Sequence, residues 1–189
     1  MSKWVLSRVG LINFWYYQNQ IFEFADGKML LRGANGSGKS LTMQSLFPVL
    51  LDGVTASYRL DSFGSRSRRM EDYLLGEKEV SGRQDGTGYL FVEYKQKERD
   101  EYLTCGIGMS ARRGASLKKW FFALEDNSRI GQDFSLWDRV NEQERRPFTK
   151  RILRNRIEGH GSNYTFEPLR KLGQRLTVST SFSSDMIGT

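Results

Sequence analysis

Eight consecutive residues carry the clearest chemistry in this chain: Gly33-Ala34-Asn35-Gly36-Ser37-Gly38-Lys39-Ser40. They satisfy the spacing G-x-x-x-x-G-K-[ST]. In that pattern the backbone amides cradle phosphate oxygens, the lysine reaches the terminal phosphates and the hydroxyl completes the shell of Mg²⁺. Gly33, Gly36 and Gly38 can take backbone angles closed to other residues and leave no side chain between chain and ligand. Such a loop works at the start of a helix, whose positive end then faces the anion. Leu41, Met43, Leu46, Phe47, Leu50 and Leu51 recur at helical spacing, so a helix is predicted from Lys39 onward. Upstream, Lys28-Met29-Leu30-Leu31-Arg32 reads as a buried strand. Strand, glycine loop and helix in that order predict a nucleotide-phosphate site. Lys39 is its catalytic cation and Ser40 its metal ligand. The plainer alternative is a glycine turn before an ordinary helix.

The rest of the chain supplies the frame. Trp4 to Phe24 reads as two strands, with Tyr16 to Gln20 as the turn region. Phe14, Trp15 and Tyr16 lie there, either as rings for stacking on a base or as aromatics of a sheet face. After the loop helix, Gly53 to Gly64 is polar and turn-rich. Arg66-Ser67-Arg68-Arg69 and a short helical patch, Met70 to Leu75, follow it. Gly76 to Gly88 reads as a charged connection. Beyond it, Tyr89–Tyr94, Glu101–Met109 and Lys118–Leu124 are three strands joined by short charged turns, an antiparallel meander. Phe134, Leu136, Trp137 and Val140 suggest a short amphipathic helix, broken at Glu144-Arg145-Arg146-Pro147. Lys150, Arg151, Arg154 and Arg156 then gather around Ile152, Leu153 and Ile157. This helix presents cations either to phosphates or simply to water. The lone histidine, His160, reads as a loop residue, and the Ser/Thr-rich end from Gln174 to Ser184 as a disordered tail.

Composition bounds the classes. With 189 residues there is room for one domain, and 29 Lys+Arg against 22 Asp+Glu give a net charge of +7. That balance favours a polyanionic partner, nucleic acid first, without requiring one. A single cysteine, Cys105, excludes an internal disulfide framework and a cysteine-built zinc site. It reads as a small buried residue. The start of the chain lacks the layout of a signal peptide, and no apolar run approaches the roughly 20 residues of a membrane helix. The expected location is the cytoplasm.

The loop and its lead-in also resemble the ATP-binding heads of the SMC family and its relatives. The resemblance rests on Gly33 and Asn35 to Ser40, on Val9-Gly10-Leu11-Ile12-Asn13-Phe14-Trp15-Tyr16-Tyr17, on Phe22-Glu23-Phe24, and on Gly27-Lys28. Leu51-Asp52-Gly53 and Arg59-Leu60-Asp61-Ser62-Phe63-Gly64, with Arg66, Arg68, Arg69 and Met70, are similar to one branch, the large SMC-like ATPase of bacterial Wadjet-type plasmid-defence operons. The resemblance is good as far as Leu75 and thin beyond it. It implies an α/β fold of the P-loop NTPase type: the N-terminal lobe of an ABC/SMC head, with a mixed sheet and an antiparallel β-subdomain at about 88–125. It also implies a head segment over 1–170 and a tail over 171–189. ATP and Mg²⁺ are the implied cofactors, held by Gly33, Ala34, Asn35, Gly36, Ser37, Gly38, Lys39, Ser40 and Leu41. Many relatives carry Thr or Asn where this chain has Leu41, which leaves only a backbone contact there.

The resemblance further places an arginine near nucleotide or DNA, with Arg59 and Arg66 as candidates. DNA contact is expected through Arg66, Arg68, Arg69, Lys150, Arg151 and Arg154. No apolar strand ending in Asp or Asp-Glu follows the loop; the run Tyr89 to Glu93 is the nearest, and no signature motif occurs. In SMC-type proteins both elements come from a C-terminal segment beyond a coiled coil. The expectation is therefore an N-terminal head segment that hydrolyses ATP only with a complementary C-terminal segment, and pairs with a second head when ATP is bound. Two other classes stay open. One is a self-contained small P-loop kinase or NTPase, and the other is a non-hydrolysing, nucleotide-dependent module that binds DNA or a partner.

Overall fold

The computed structural model describes residues 4–51, 53–55, 69–76, 82–142 and 144–160. Its centre is β3 (Asp85–Gln96), whose residues Gly88 to Glu93 are all buried. The uninterrupted run Tyr89-Leu90-Phe91-Val92 has this physical meaning: a strand covered on both faces needs no polar alternation. Around it lie β1 (Trp4–Phe14), β2 (Tyr17–Glu23), β4 (Tyr102–Arg112) and β5 (Lys118–Leu124), in the order β2-β1-β3-β4-β5. All four pairings are antiparallel. The two-strand reading of the N-terminus and the meander are borne out.

Two layers cover this sheet. On the first face, Val9, Leu11, Leu90, Val92, Ile107 and Met109 pack against α1 (Lys39–Leu50) and α2 (Met70–Leu75) through Leu46, Val49, Met70, Tyr73 and Leu74. On the second face, Ile12, Tyr89, Phe91, Trp120 and Phe122 meet the segment after β5 and α3 (Lys150–His160) through Phe134, Leu136, Phe148, Leu153 and Ile157. Glycines make room for that aromatic face: a Cβ on Gly106 would stand 2.2 Å from the Phe122 ring, and one on Gly108 2.2 Å from the Trp120 ring. The predicted helices at Met70–Leu75 and around Leu153 are both present.

Several expectations are corrected. Lys28–Arg32 is not a strand. Lys28 makes one bridge with Ala25, residues 29–34 carry no ladder, and Leu30 is 71% exposed. A strand needs a neighbouring edge, and none of the described strands pairs with this segment. The expected mixed sheet is likewise absent among the described residues, because the N-terminal hairpin and the meander form one antiparallel sheet. The β1–β2 turn lies at Trp15–Tyr16, so Tyr17 to Gln20 belong to β2, and β3 begins at Asp85 within the expected connection.

Phe134 to Val140 forms no helix. Phe134 bridges Ile130 around Gly131, and β6 (Trp137–Arg139) pairs with β7 (Arg145–Pro147). Phe134 and Leu136 are both buried two residues apart, an extended-chain spacing that the helical reading overlooked. His160 ends α3 instead of lying in a loop. Arg59, Arg66, Arg68 and the tail 171–189 lie outside the described residues. None of the described helices is long and apolar enough to cross a membrane.

Candidate phosphate site at the start of α1

The loop geometry follows from its glycines. Gly36 sits at φ 80° and Gly38, the residue before α1, at φ 84°, a region that side chains with a Cβ rarely occupy. No heavy atom lies within 4 Å of where a Cβ would stand on either, so the backbone angle and not space calls for glycine there. At Gly33 the approach is different: a Cβ would come within 2.7 Å of Ser37 Oγ, so the serine hydroxyl would have to rotate away. Ser37 N–H donates to the Ala34 carbonyl at 3.2 Å and closes the turn.

Lys39 bends back over this turn. Its Nζ donates to the Gly33 and Ala34 carbonyls at 2.6 and 2.7 Å and approaches Ser37 Oγ at 3.3 Å. The ammonium is therefore held across the loop mouth, where terminal phosphates on the loop amides would meet it. The first turn of α1 has no acidic residue and no side-chain cap. Its leading N–H groups, those of Lys39, Ser40 and Leu41, have no acceptor within the helix, and the helix dipole is positive at that end. Ser40 is exposed and offers a hydroxyl to a cation. Leu41 turns its side chain toward the first-face core and leaves its amide as its only contribution. The sequence-predicted residues Gly33 to Leu41 thus lie together in one loop and helix start.

What anchors this arrangement was not apparent from the motif. Thr42 Oγ1 donates to the Gly38 carbonyl at 3.0 Å, and Tyr17 O–H lies 2.8 Å from the same hydroxyl. The first residue of β2 thereby ties the helix start to the sheet. The aromatic candidates divide. Phe14 is fully buried and stacks on Tyr73 at 5.5 Å, Trp15 leans on Tyr73 at 5.4 Å, and only Tyr16, 79% exposed, presents a ring to solvent.

Glu93, which ends the apolar strand run nearest to a metal-carboxylate pattern, is not part of the loop. It points to the second face, away from α1, and is wholly buried. Arg8 grips both of its oxygens, and Arg129 donates to them at 2.9 and 3.2 Å. Burial pushes the Glu93 carboxyl up, but hydrogen bonds and charge from Arg8 and Arg129 outweigh it and hold the group below its usual range. It is a structural anion. Among the described residues no cluster of His, Cys, Asp or Glu suits a metal ion; Ser40 is the candidate ligand by its place in the motif.

The arginine candidates are scattered. Arg69 is exposed at the start of α2, where its N–H donates to Asp72 Oδ2 at 3.0 Å. Lys150, Arg151 and Arg154 are exposed on α3, but Arg154 is paired with Glu158 at 2.6 Å, and Arg156 with Asp138 at 3.6 Å. Comparison with protein-family models gave no match, and comparison with curated protein sequences gave none either.

Proposed function

We propose that this chain binds ATP·Mg²⁺ through Gly33–Leu41 and is the N-terminal head segment of an SMC-like, DNA-handling ATPase of the P-loop NTPase type. The observation that carries this reading is Lys39 Nζ folded across a glycine loop at an uncapped helix start. Gly33 to Leu41 bind the phosphates, Lys39 neutralises the charge that builds up on transfer, and Ser40 would hold the cation. Mg²⁺, when bound, draws the phosphates into line and offsets their negative charge.

A second feature supports incompleteness of the site. Leu30 (71%), Met43 (43%), Leu50 (46%), Leu51 (40%) and Val54 (37%) are exposed in the loop's lead-in, on α1 and just after it. A complementary segment carrying the metal carboxylate and the signature motif would cover such a surface, and ATP would then close two heads together. The Wadjet-type plasmid-defence branch is the particular relative proposed.

The test is ATP binding by titration calorimetry and phosphate release by the full chain, alone and with the complementary segment, each beside Lys39→Ala. Weak binding by the chain alone, turnover only in the mixture and loss of both in Lys39→Ala are expected. Robust Lys39-dependent turnover by the isolated chain would overturn the split-head reading in favour of a small P-loop enzyme.

A further inference from the structure

We infer that the cleft between the start of β3, the end of β4, the start of β5 and the β6–β7 hairpin seats the phosphate backbone of duplex DNA. The cleft encloses about 660 Å³. Five cations line it or its immediate extension, from separate stretches of chain: Arg112 ends β4, Lys118 starts β5, Arg145 and Arg146 stand on β7, and Lys150 starts α3. Among the described lining residues two acids, Asp85 and Glu144, face them. Glu144 lies 3.9 Å from Arg146, and both side chains are mostly exposed, so that pair neutralises little. Arg112, Lys118 and Lys150 have no ion pair among the described residues.

Folding, and not sequence proximity, gathers this charge. The basic run on α3, which is conspicuous in the sequence, is partly neutralised by Glu158 and Asp138. Of that run only Lys150 belongs to the cleft, where it converges with Arg112, Lys118, Arg145 and Arg146. A second cleft of about 400 Å³ shares Thr87, Ser110, Lys118 and Thr149 with the first. A third of about 420 Å³ shares Asn13, Glu144, Arg145 and Pro147, so the basic surface continues in both directions.

The lining also selects the form of nucleic acid. Gly86, Thr87, Ser110, Ala111 and Ser116 make a floor of small and hydroxyl-bearing residues. Trp120 beside it is 4% exposed, and Trp137 is covered by Arg145, whose guanidinium carbon is 5.6 Å from the ring centre. Single-strand sites combine cations with exposed aromatic platforms, whereas cations and hydroxyls alone grip a phosphate backbone without reading bases. The choice of DNA over another polyanion rests on the DNA-handling role proposed above.

The experiment is fluorescence anisotropy of the full chain with a labelled duplex and the same sequence as a single strand, over a salt series, with inorganic tripolyphosphate as competitor. Lys118→Ala/Arg145→Ala/Arg146→Ala is compared with Lys95→Ala/Lys97→Ala/Arg99→Ala, which removes equal charge at the β3–β4 turn, the other end of the sheet. Melting curves establish that both variants fold. Each neutralised phosphate contributes roughly 0.9 to the slope of log affinity against log salt, so the cleft variant should lose about 2–3 in slope and bind at least tenfold more weakly at about 0.1 M salt. The turn variant should stay within about twofold of the parent. Equal loss in both variants, no loss in the cleft variant, preference for the single strand, or tripolyphosphate binding without duplex binding would each overturn the inference. Lys39→Ala, run in parallel, should keep duplex binding while losing ATP, so failure of the cleft and failure of the nucleotide reading are distinguishable.

Discussion

Glu93→Gln is the most exacting test of how the second face of the sheet is held. Glu93 is wholly buried, Arg8 is 4% exposed, and the Arg129 side chain is 22% exposed over the Tyr102 ring, 4.2 Å from its centre. Both guanidinium groups are bidentate on one carboxylate. Glutamine keeps the shape, removes the charge and turns an N–H donor toward an arginine donor. One buried and one half-buried cation lose their counter-ion. Breaking such a buried pair costs about 3–5 kcal/mol. For a chain of 189 residues that is a fall in Tm of about 6–20 °C, at about 2–4 °C per kcal/mol.

Thermal and urea unfolding followed by circular dichroism supply the measurement, and pH supplies a second axis. Glu93 in the unfolded chain takes its proton near the usual value of 4.5, and in the folded protein only below it. Between those values the unfolded state holds more protons. The stability contributed by Glu93 is therefore whole above that usual value and is lost as pH falls through the folded value. The gap between parent and Glu93→Gln should narrow in acid and stay constant above it. A loss under about 1 kcal/mol at neutral pH, or a gap that widens in acid, would refute the reasoning. Replacing the whole triad, Arg8→Met/Glu93→Leu/Arg129→Met, should cost far less than Glu93→Gln alone, since no charge is then stranded.

Two glycine substitutions should have opposite signs. Gly108→Ala drives a methyl to 2.2 Å from the buried Trp120 ring and should cost about 1–3 kcal/mol or more, read by urea unfolding. Gly159→Ala, in α3 with open space at its Cβ, should stabilise by up to about 1 kcal/mol. Cys105 is half-buried against the first-face core, and that loss of hydration pushes its thiol up to about 12. Near pH 8 its thiolate fraction should fall on the order of a thousandfold below a free cysteine, so labelling by a disulfide reagent should wait for unfolding. Fast labelling of the folded chain would contradict that burial.

The glycine loop, α1 and the three-strand meander are legible from the sequence because their signals are local. A turn needs its glycines, a helix its spacing, and a buried strand its apolar run. The stretch from Glu125 to Phe148 is not, because partners remote in sequence order it. Arg129 is set by Glu93, 36 residues away, and the Phe148 carbonyl is fixed by Tyr89 O–H at 2.6 Å across 59 residues. Tyr89 lies edge-on to Trp120 and Phe122 as well, and its burial raises its phenol well above the ordinary range. Lys28–Arg32 misleads for the converse reason. Its apolar composition is genuine, but an extended segment becomes a strand only beside an edge, and the edges of this sheet belong to β2 and β5. The basic cleft is not legible in the sequence because, Lys150 apart, its cations come from β4, β5 and β7 and only the fold brings them together.

The proposed phosphate site is pre-set on one side only, and on that reading the asymmetry bears on its affinity. Helix α1 is pinned at both ends. Tyr17 meets Thr42 at 2.8 Å near its start, and beyond its end Lys119 Nζ donates to the Gly53 carbonyl at 2.8 Å. Gly53, at φ 76°, lies so close under Phe121 that a Cβ would come within 2.4 Å of the ring. The amides at the helix start are therefore held by the sheet before any ligand arrives. The lead-in from Met29 to Arg32 has no ladder to fix it, and its Leu30 is exposed. A ligand that needs both halves would, on the proposed reading, supply any cost of fixing the second from its own binding energy, which weakens its apparent affinity. On the proposed reading, a segment that pairs with the lead-in and covers Leu30 would tighten ATP binding without touching the nucleotide. The added affinity would come from order already imposed on the loop, and Lys39 and Ser40 would be the same residues in both states.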